Sequence, residues 1–215
     1  MPQASSRQAG LILAAGAGTR LGGGKLLLPW RGKALIVHAL EKILNTPGMQ
    51  FAVVVTGCQA PALRRTLKST FSRDTPFPLR VAHNPDWQEE QSTSLQCGIR
   101  ALLDMPGADL VRGVLILLGD MPLVREETLR LLHSAHGEAC ARNRRHAATV
   151  PTYQGQRGNP VILSPLLFPA LFTLRGDAGA RTLLPSLGED LLFLPVSDEG
   201  VIRDIDSPED YAALP

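Results

Sequence analysis

With 215 residues, 44% of them apolar, the chain can bury a substantial core and is short enough to be one domain. Its formal charge of +2 is nearly balanced, and the one short basic cluster, Arg142-Asn143-Arg144-Arg145-His146, reads as a solvated face, so a nucleic acid is not an expected partner. Cys58, Cys97 and Cys140 are far apart and lack a CxxC spacing, which argues against a disulfide framework or a zinc site. The polar stretch 1–9 has no signal-peptide core and no apolar run could span a bilayer, so the expected location is the cytoplasm, away from membranes.

The first element is an apolar run of strand length from Leu11, and it empties into Gly16-Ala17-Gly18-Thr19-Arg20-Leu21-Gly22-Gly23-Gly24-Lys25. Glycines let backbone N–H groups approach phosphate oxygens, while Arg20 and Lys25 supply positive charge. Two well-known phosphate loops do not fit. A Walker A loop would need glycine at Thr19 and Ser or Thr at Leu26. The dinucleotide fingerprint would need Gly or Ala at Leu21 and an acidic residue near Thr56-Gly57, so hydride transfer is not expected. A glycine-rich strand-to-helix turn is the plain structural alternative.

Beyond the loop, Pro29 and Gly32 predict a short extended excursion before an amphipathic helix over 34–45. A strand buried on both faces follows at 51–56, then a helix at 61–68 and a strand at 79–83. A turn at 84–87 and the polar stretch 88–94 lead into a helix at 95–103. A wholly apolar strand at 114–118 ends in Gly119-Asp120-Met121-Pro122, and a helix is expected at 125–136. This alternation predicts right-handed crossovers and a mainly parallel sheet covered on both faces, with the glycine loop and Asp120 on its carboxyl rim.

The last third reads differently. Strands at 147–151 and 161–163 flank a turn at 155–160 and could add antiparallel pairing. Segments 166–172 and 178–187 read as helical and 191–196 as a strand. Ser207 and Pro208 open a terminal helix as N-cap and first residue. No internal repeat or linker is visible. The five histidines, His38, His83, His133, His136 and His146, fall in no catalytic spacing and are read as structural or solvent-facing, and no nucleophile–base pair suggests a covalent intermediate.

Asp120, ending an apolar strand, is either a turn residue or a hard oxygen ligand suited to Mg²⁺. Asp204 and Asp206 alternate on an extended segment that would put both on one side, while Glu209 and Asp210 fall in the first helical turn and serve its dipole. Asp206 has two readings, a helix-start turn residue or a metal contact. The hydroxyls of Gln91-Ser92-Thr93-Ser94-Leu95 can cap a helix or address a base or phosphate.

The loop pattern LAAGxGTRLGGGK resembles the signature of the nucleotidyltransferases of the molybdenum cofactor family. Gly119-Asp120-Met121-Pro122 is similar to that family's metal-binding strand end. Asp204-Ile205-Asp206-Ser207-Pro208-Glu209-Asp210 is similar to its DIDTPED segment, with Ser207 for Thr. Ser94-Leu95 resembles the end of its base-contacting loop, although Glu90-Gln91 stands where relatives commonly have Gly-Met. Residues 155–160 and 175–181 resemble two acceptor-side segments, with Asn159 where relatives usually have His, so a role needing an imidazole does not carry over. These segments keep family order from residue 11 to residue 214.

The resemblance implies a single-domain, Rossmann-like three-layer α/β/α nucleotidyltransferase fold over 1–215, with a nucleotide-binding part at 10–125 and an acceptor-binding part at 126–215. It implies that Leu13, Ala14, Ala15, Gly16, Gly18, Thr19, Arg20, Lys25 and Ser94 bind the nucleotide, and that Arg20, Lys25 and Asp120 are catalytic. Asp120 and Asp204 would hold Mg²⁺ or Mn²⁺. Arg157, Gly158, Asn159 and Arg181 would meet the acceptor, with surface-loop cations as the alternative for the two arginines.

The implied reaction moves CMP from CTP to the phosphate of molybdopterin, with or without molybdenum, and releases pyrophosphate; a molybdenum hydroxylase would receive the product. Ala15, where guanylyl-transferring relatives have glycine, favours CTP over GTP. A guanylyltransferase, a sugar- or polyol-phosphate nucleotidyltransferase of the same fold and a non-catalytic cofactor carrier remain the rival readings.

Overall fold

A computed structural model describes residues 7–71, 75–176 and 179–215. In chain order the strands are β1 (Gln8–Ala14), β2 (Pro29–Trp30), β3 (Lys33–Ala34), β4 (Met49–Thr56), β5 (Leu79–His83), β6 (Gly113–Leu118), β7 (Ala148–Tyr153), β8 (Gln156–Arg157), β9 (Val161–Leu163) and β10 (Leu191–Pro195). The α-helices are α1 (Leu35–Leu44), α2 (Ala60–Thr70), α3 (Gln91–Leu103), α4 (Glu126–Arg142), α5 (Phe168–Leu171) and α6 (Pro208–Ala212).

The main sheet has the order β10-β7-β9-β6-β1-β4-β5, with β8 on the flank of β7; β2 and β3 form a separate small hairpin. The pairs among β5, β4, β1 and β6 are parallel, as is β7 with β10. β9 runs antiparallel to β6 and β7, and β8 antiparallel to β7, which realises the antiparallel additions expected from the last third.

Side-chain alternation sorts the sheet into two cores. Leu11, Val53, Val55, Val114 and Ile116 pack on one face with Leu95, Ile99 and Leu102 of α3 and Phe168 and Leu171 of α5. Ile12, Val54, Leu115 and Leu117 pack on the other with Ile36, Leu40 and Ile43 of α1, Leu63 and Leu67 of α2, and Leu129 and Leu132 of α4. Burial on both faces is why β1, β4 and β6 read as nearly continuous apolar runs. Among the described helices none is long and apolar enough to cross a membrane.

Three expected elements change. α3 starts at Gln91 rather than 95, because Asn84 Nδ2 donates to Thr93 Oγ1 (2.9 Å) and Ser94 Oγ (3.0 Å) and secures this polar turn. α4 runs to Arg142 rather than stopping near 136, with Gly137 buried against its neighbours. The helix expected over 178–187 begins at Ala178, outside the described residues, and from Gly179 onward the chain forms 3-10 turns at Gly179–Thr182 and Leu184–Ser186 instead. Left-handed Gly179 (φ 53°) and Gly188 (φ 52°), with Pro185 lacking an N–H, keep an α-helix from propagating there. Residues 1–6 of the polar start and Asp177 of the 175–181 segment also lie outside the described residues.

The basic cluster at 142–146 is solvated at its arginines, but His146 is buried. Its Nε2 lies 2.9 Å from Thr149 Oγ1, and the same hydroxyl lies 3.0 Å from Nδ1 of the fully buried His136. Burial, reinforced by the neighbouring His146, pushes His136 down to about 4. The unfolded chain therefore binds a proton that the native state refuses between the ordinary value near 6.5 and about 4. Stability is full above 6.5 and falls as the pH drops through this window, by on the order of 3 kcal/mol for this group. Urea melts at pH 7 and pH 4.5 check this: His136→Gln should flatten the difference, and an undiminished difference in that variant would assign it elsewhere.

Candidate active site

Strand order reverses between β1 and β6, which opens a crevice beyond their carboxyl ends. Leu13 is paired with Leu118, and the Gly119 N–H continues the ladder by donating to Leu13 O (2.9 Å). Gly119-Asp120 and the glycine loop therefore leave the sheet side by side.

The loop folds on left-handed glycines. Gly18 (φ 61°) receives N–H donations from Leu21 and Gly23 at its carbonyl, and a methyl built on it would meet Lys25 Cγ at 2.9 Å. Only glycine at this position lets the Lys25 stem lie across the loop. Lys25 Nζ then sits 2.7 Å from Asp120 Oδ2 and 2.5 Å from Asp206 Oδ1, and Arg20 Nη1 is 3.5 Å from Asp206 Oδ2. Burial works against the Lys25 ammonium, but the Asp120 and Asp206 carboxylates outweigh it and raise its pKa.

Asp120 is held from behind, because the Ile205 N–H donates to the Asp120 carbonyl (3.0 Å) and ties the C-terminal segment to the end of β6. Burial raises the Asp120 carboxyl above the ordinary range, Lys25 opposes the shift and the charge of Asp204 adds to it. Asp120 Oδ1 is buried without a hydrogen-bond partner. A buried carboxylate oxygen with spare lone pairs beside a polar cavity fits a hard divalent cation. Among the described residues no group of three or more His, Cys, Asp or Glu could hold a metal, so an ion here would draw further ligands from phosphate oxygens or water.

Leu13, Ala14, Ala15, Gly16, Gly18, Thr19, Arg20, Lys25, Ser94 and Asp120 all line one cavity of about 420 Å³. Asp206 lines it too, whereas Asp204 is solvent-exposed and is not part of the wall. The carboxylates of Asp204 and Asp206 thus do not share the cavity as the extended alternation suggested. The Asp210 side chain accepts from the N–H groups of Asp206 (3.2 Å) and Ser207 (2.8 Å) and, with the Ser207 cap on α6, turns the chain at that point.

Arg157, Gly158, Asn159 and Arg181 line a second cavity of about 320 Å³, floored by Leu13, Leu95, Ile116, Leu118, Val161 and Leu163. The Arg157 guanidinium lies 4.9 Å over the Phe193 ring. Gly158 is compulsory, since a methyl there would fall 2.4 Å from Val201 O. Leu13, Gln91 and Leu118 belong to both cavities, so the two adjoin.

Trp87 and Leu118, which no sequence motif marks as site residues, also line the first cavity. Trp87 reads as a turn residue, yet it packs into space that Gly57 leaves: a methyl on Gly57 would stand 2.6 Å from Trp87 Cβ and 2.4 Å from Ala15 O. The juxtaposition of Gly57 and Trp87 was the only available signal, and it is invisible without the pairing of β4 and β5.

The model of the MobA-like NTP transferase domain matches residues 10–191. Nicotine blue oxidoreductase of Paenarthrobacter nicotinovorans is 32% identical over 207 residues, covering 95% of each chain. Molybdenum cofactor cytidylyltransferase of Escherichia coli K12 is 24% identical over 205 residues, 94% of this chain and 92% of that one. The crystal structure of Rv0371c from Mycobacterium tuberculosis H37Rv aligns with a TM-score of 0.75 at 26% identity over 96% of both chains, and a manganese complex of the same protein aligns at 0.71 and 25% over 96% of both.

Proposed function

Because the chain belongs to the MobA-like NTP transferase domain family, we propose that it transfers CMP from CTP to the phosphate of molybdopterin, with or without molybdenum, and releases pyrophosphate. The observation that carries this reading is the shared wall of the two cavities: glycine loop, Lys25 and Asp120 on one side, Arg157 and Arg181 on the other. An anionic acceptor oxygen forms a bond to the α-phosphorus, and the bond from that phosphorus to the bridging oxygen breaks with its electron pair leaving on pyrophosphate. The attacking oxygen is already anionic, so no general base is required.

In this reading the protein supplies position and charge. Loop N–H groups, Arg20 and Lys25 hold the β- and γ-phosphates and neutralise the leaving pyrophosphate. Asp120 would hold Mg²⁺ or Mn²⁺ together with a carboxylate of the 204–206 segment; the cavity wall favours Asp206, and the charge felt at Asp120 keeps Asp204 as the other candidate. The bound ion supplies Lewis-acid polarisation of the phosphate oxygens. Arg157 and Arg181 would draw the anionic acceptor. Action in the cytoplasm and delivery of the product to a molybdenum hydroxylase belong to the same proposal.

Ala15, 5% exposed and packed in the core beside the cavity, supports CTP over the larger GTP. Isothermal titration of the two triphosphates with Mg²⁺ should show CTP binding about tenfold tighter or more; tighter GTP binding overturns the choice. The 32% identity to an oxidoreductase favours a second reading, redox chemistry on the same scaffold. Its weakness here is the loop, where Leu21 departs from the dinucleotide fingerprint. Pyrophosphate release during incubation with CTP and molybdopterin separates the two. A screen of sugar and polyol phosphates tests the other acceptors, and stoichiometric cofactor binding without turnover would instead mark a carrier.

A further inference from the structure

We infer that Gln91 is a further catalytic residue, whose carboxamide holds the acceptor phosphate and the α-phosphate against each other where the two cavities meet; this rests on the transfer reading above. Three side chains line both cavities, and of these Leu13 and Leu118 are hydrocarbon. Gln91 is the polar one. It is the first residue of α3, whose fourth and fifth residues diverge: Ser94 faces the nucleotide cavity and Leu95 the acceptor cavity. On the acceptor side, a methyl built on Gly179 would lie 3.7 Å from Gln91 Oε1, which places the carboxamide against the segment that carries Arg181.

The turn that carries Gln91 is fixed before any ligand arrives. Glu90 accepts from the Gly176 N–H and from Ser92 Oγ (3.1 Å), and the Glu90 carbonyl accepts from Thr93 Oγ1 (2.7 Å). Asn84 holds the hydroxyls of Thr93 and Ser94 from the other side. The backbone at Gln91 is thus in place before substrate engages, and only its side-chain torsions remain to be ordered.

The chemistry of the junction explains the residue type. Two anionic phosphates must come into bonding distance there, and their mutual repulsion has to be offset by donors that are in place before the reaction. Arg20 and Lys25 line the nucleotide cavity and are not part of the acceptor cavity's lining, whereas Gln91 belongs to both. A neutral carboxamide can donate to a non-bridging oxygen of either phosphate and also accept from the acceptor, without holding the dissociating product as a cation would.

The test compares wild type with Gln91→Met, Gln91→Asn and Gln91→Glu for CTP affinity by calorimetry and for kcat and KM of transfer to molybdopterin. Gln91→Met should fold normally, since the side chain is exposed to the cavity, and should keep CTP affinity within about twofold while kcat falls roughly 10- to 100-fold, the worth of one hydrogen bond to a charged group. Gln91→Asn should recover part of the loss. Gln91→Glu, isosteric but anionic at neutral pH, should be slower than Gln91→Met and improve as the pH is lowered. A Gln91→Met enzyme with wild-type kcat overturns the inference and leaves the transfer reading standing; a wild type that transfers CMP to no acceptor overturns both.

Discussion

Asp120→Ala should reduce pyrophosphate release by on the order of a thousandfold or more while the protein stays folded. Two observations support both halves of this expectation. The carboxylate sits in the crevice where the glycine loop and the end of β6 emerge together, with Oδ1 buried and without a hydrogen-bond partner, which is the oxygen the proposed reaction assigns to a divalent ion. Its neighbourhood is held by backbone bonds, Gly119 N–H to Leu13 O and Ile205 N–H to Asp120 O, which the substitution leaves in place. Lys25 keeps Asp206 as a counter-charge, so the substitution leaves no enclosed ammonium unpaired. Three readings are needed: pyrophosphate release, the melting temperature, and Mn²⁺ binding by electron paramagnetic resonance. Residual turnover above about one per cent with a normal melt would remove Asp120 from the chemistry.

Lys25→Ala is the second large effect, and its signature differs. CTP affinity should fall about 100-fold, because the ammonium is the most enclosed cation of the nucleotide cavity and its partner Arg20 is 78% exposed and screened by water. Binding of Mn²⁺ alone should hold steady or tighten, since the substitution takes a positive charge from between Asp120 and Asp206. Opposite movements of nucleotide and metal affinity are hard to obtain from general damage to the fold. Parallel loss of both would mean that Lys25 serves mainly to build the pocket. A modest destabilisation, about 1–2 kcal/mol after allowing for the 43% exposure of Asp206, is expected from leaving the two carboxylates facing each other.

The local rules that made the chain readable fail in instructive places. β5 and β9 coincide with their expected bounds, because a short β-rich run between turn residues has one reading. α3 begins four residues before its apolar spacing predicts, since Asn84, seven residues upstream of Gln91, joins Glu90 in holding its first turn. The 178–187 stretch has apolar spacing that suits a helix, but Gly179, Pro185 and Gly188 deny it the backbone. Asp206 carried two local readings, turn residue and ligand; only the arrival of Lys25 from 181 residues away shows it on the cavity wall.

By itself the sequence determined the alternation of strands and helices, the glycine loop with its two cations and the carboxylate ending β6, because each is set by neighbours along the chain: side-chain period, left-handed backbone at glycine, apolar run length. The tertiary structure alone decided that β6 lies beside β1, so that Lys25 meets Asp120, and that Gln91 lines both of two cavities built from distant segments. Strand order is settled by which faces bury best against α1, α2, α3 and α4 together, a sum over the whole core that no local pattern contains.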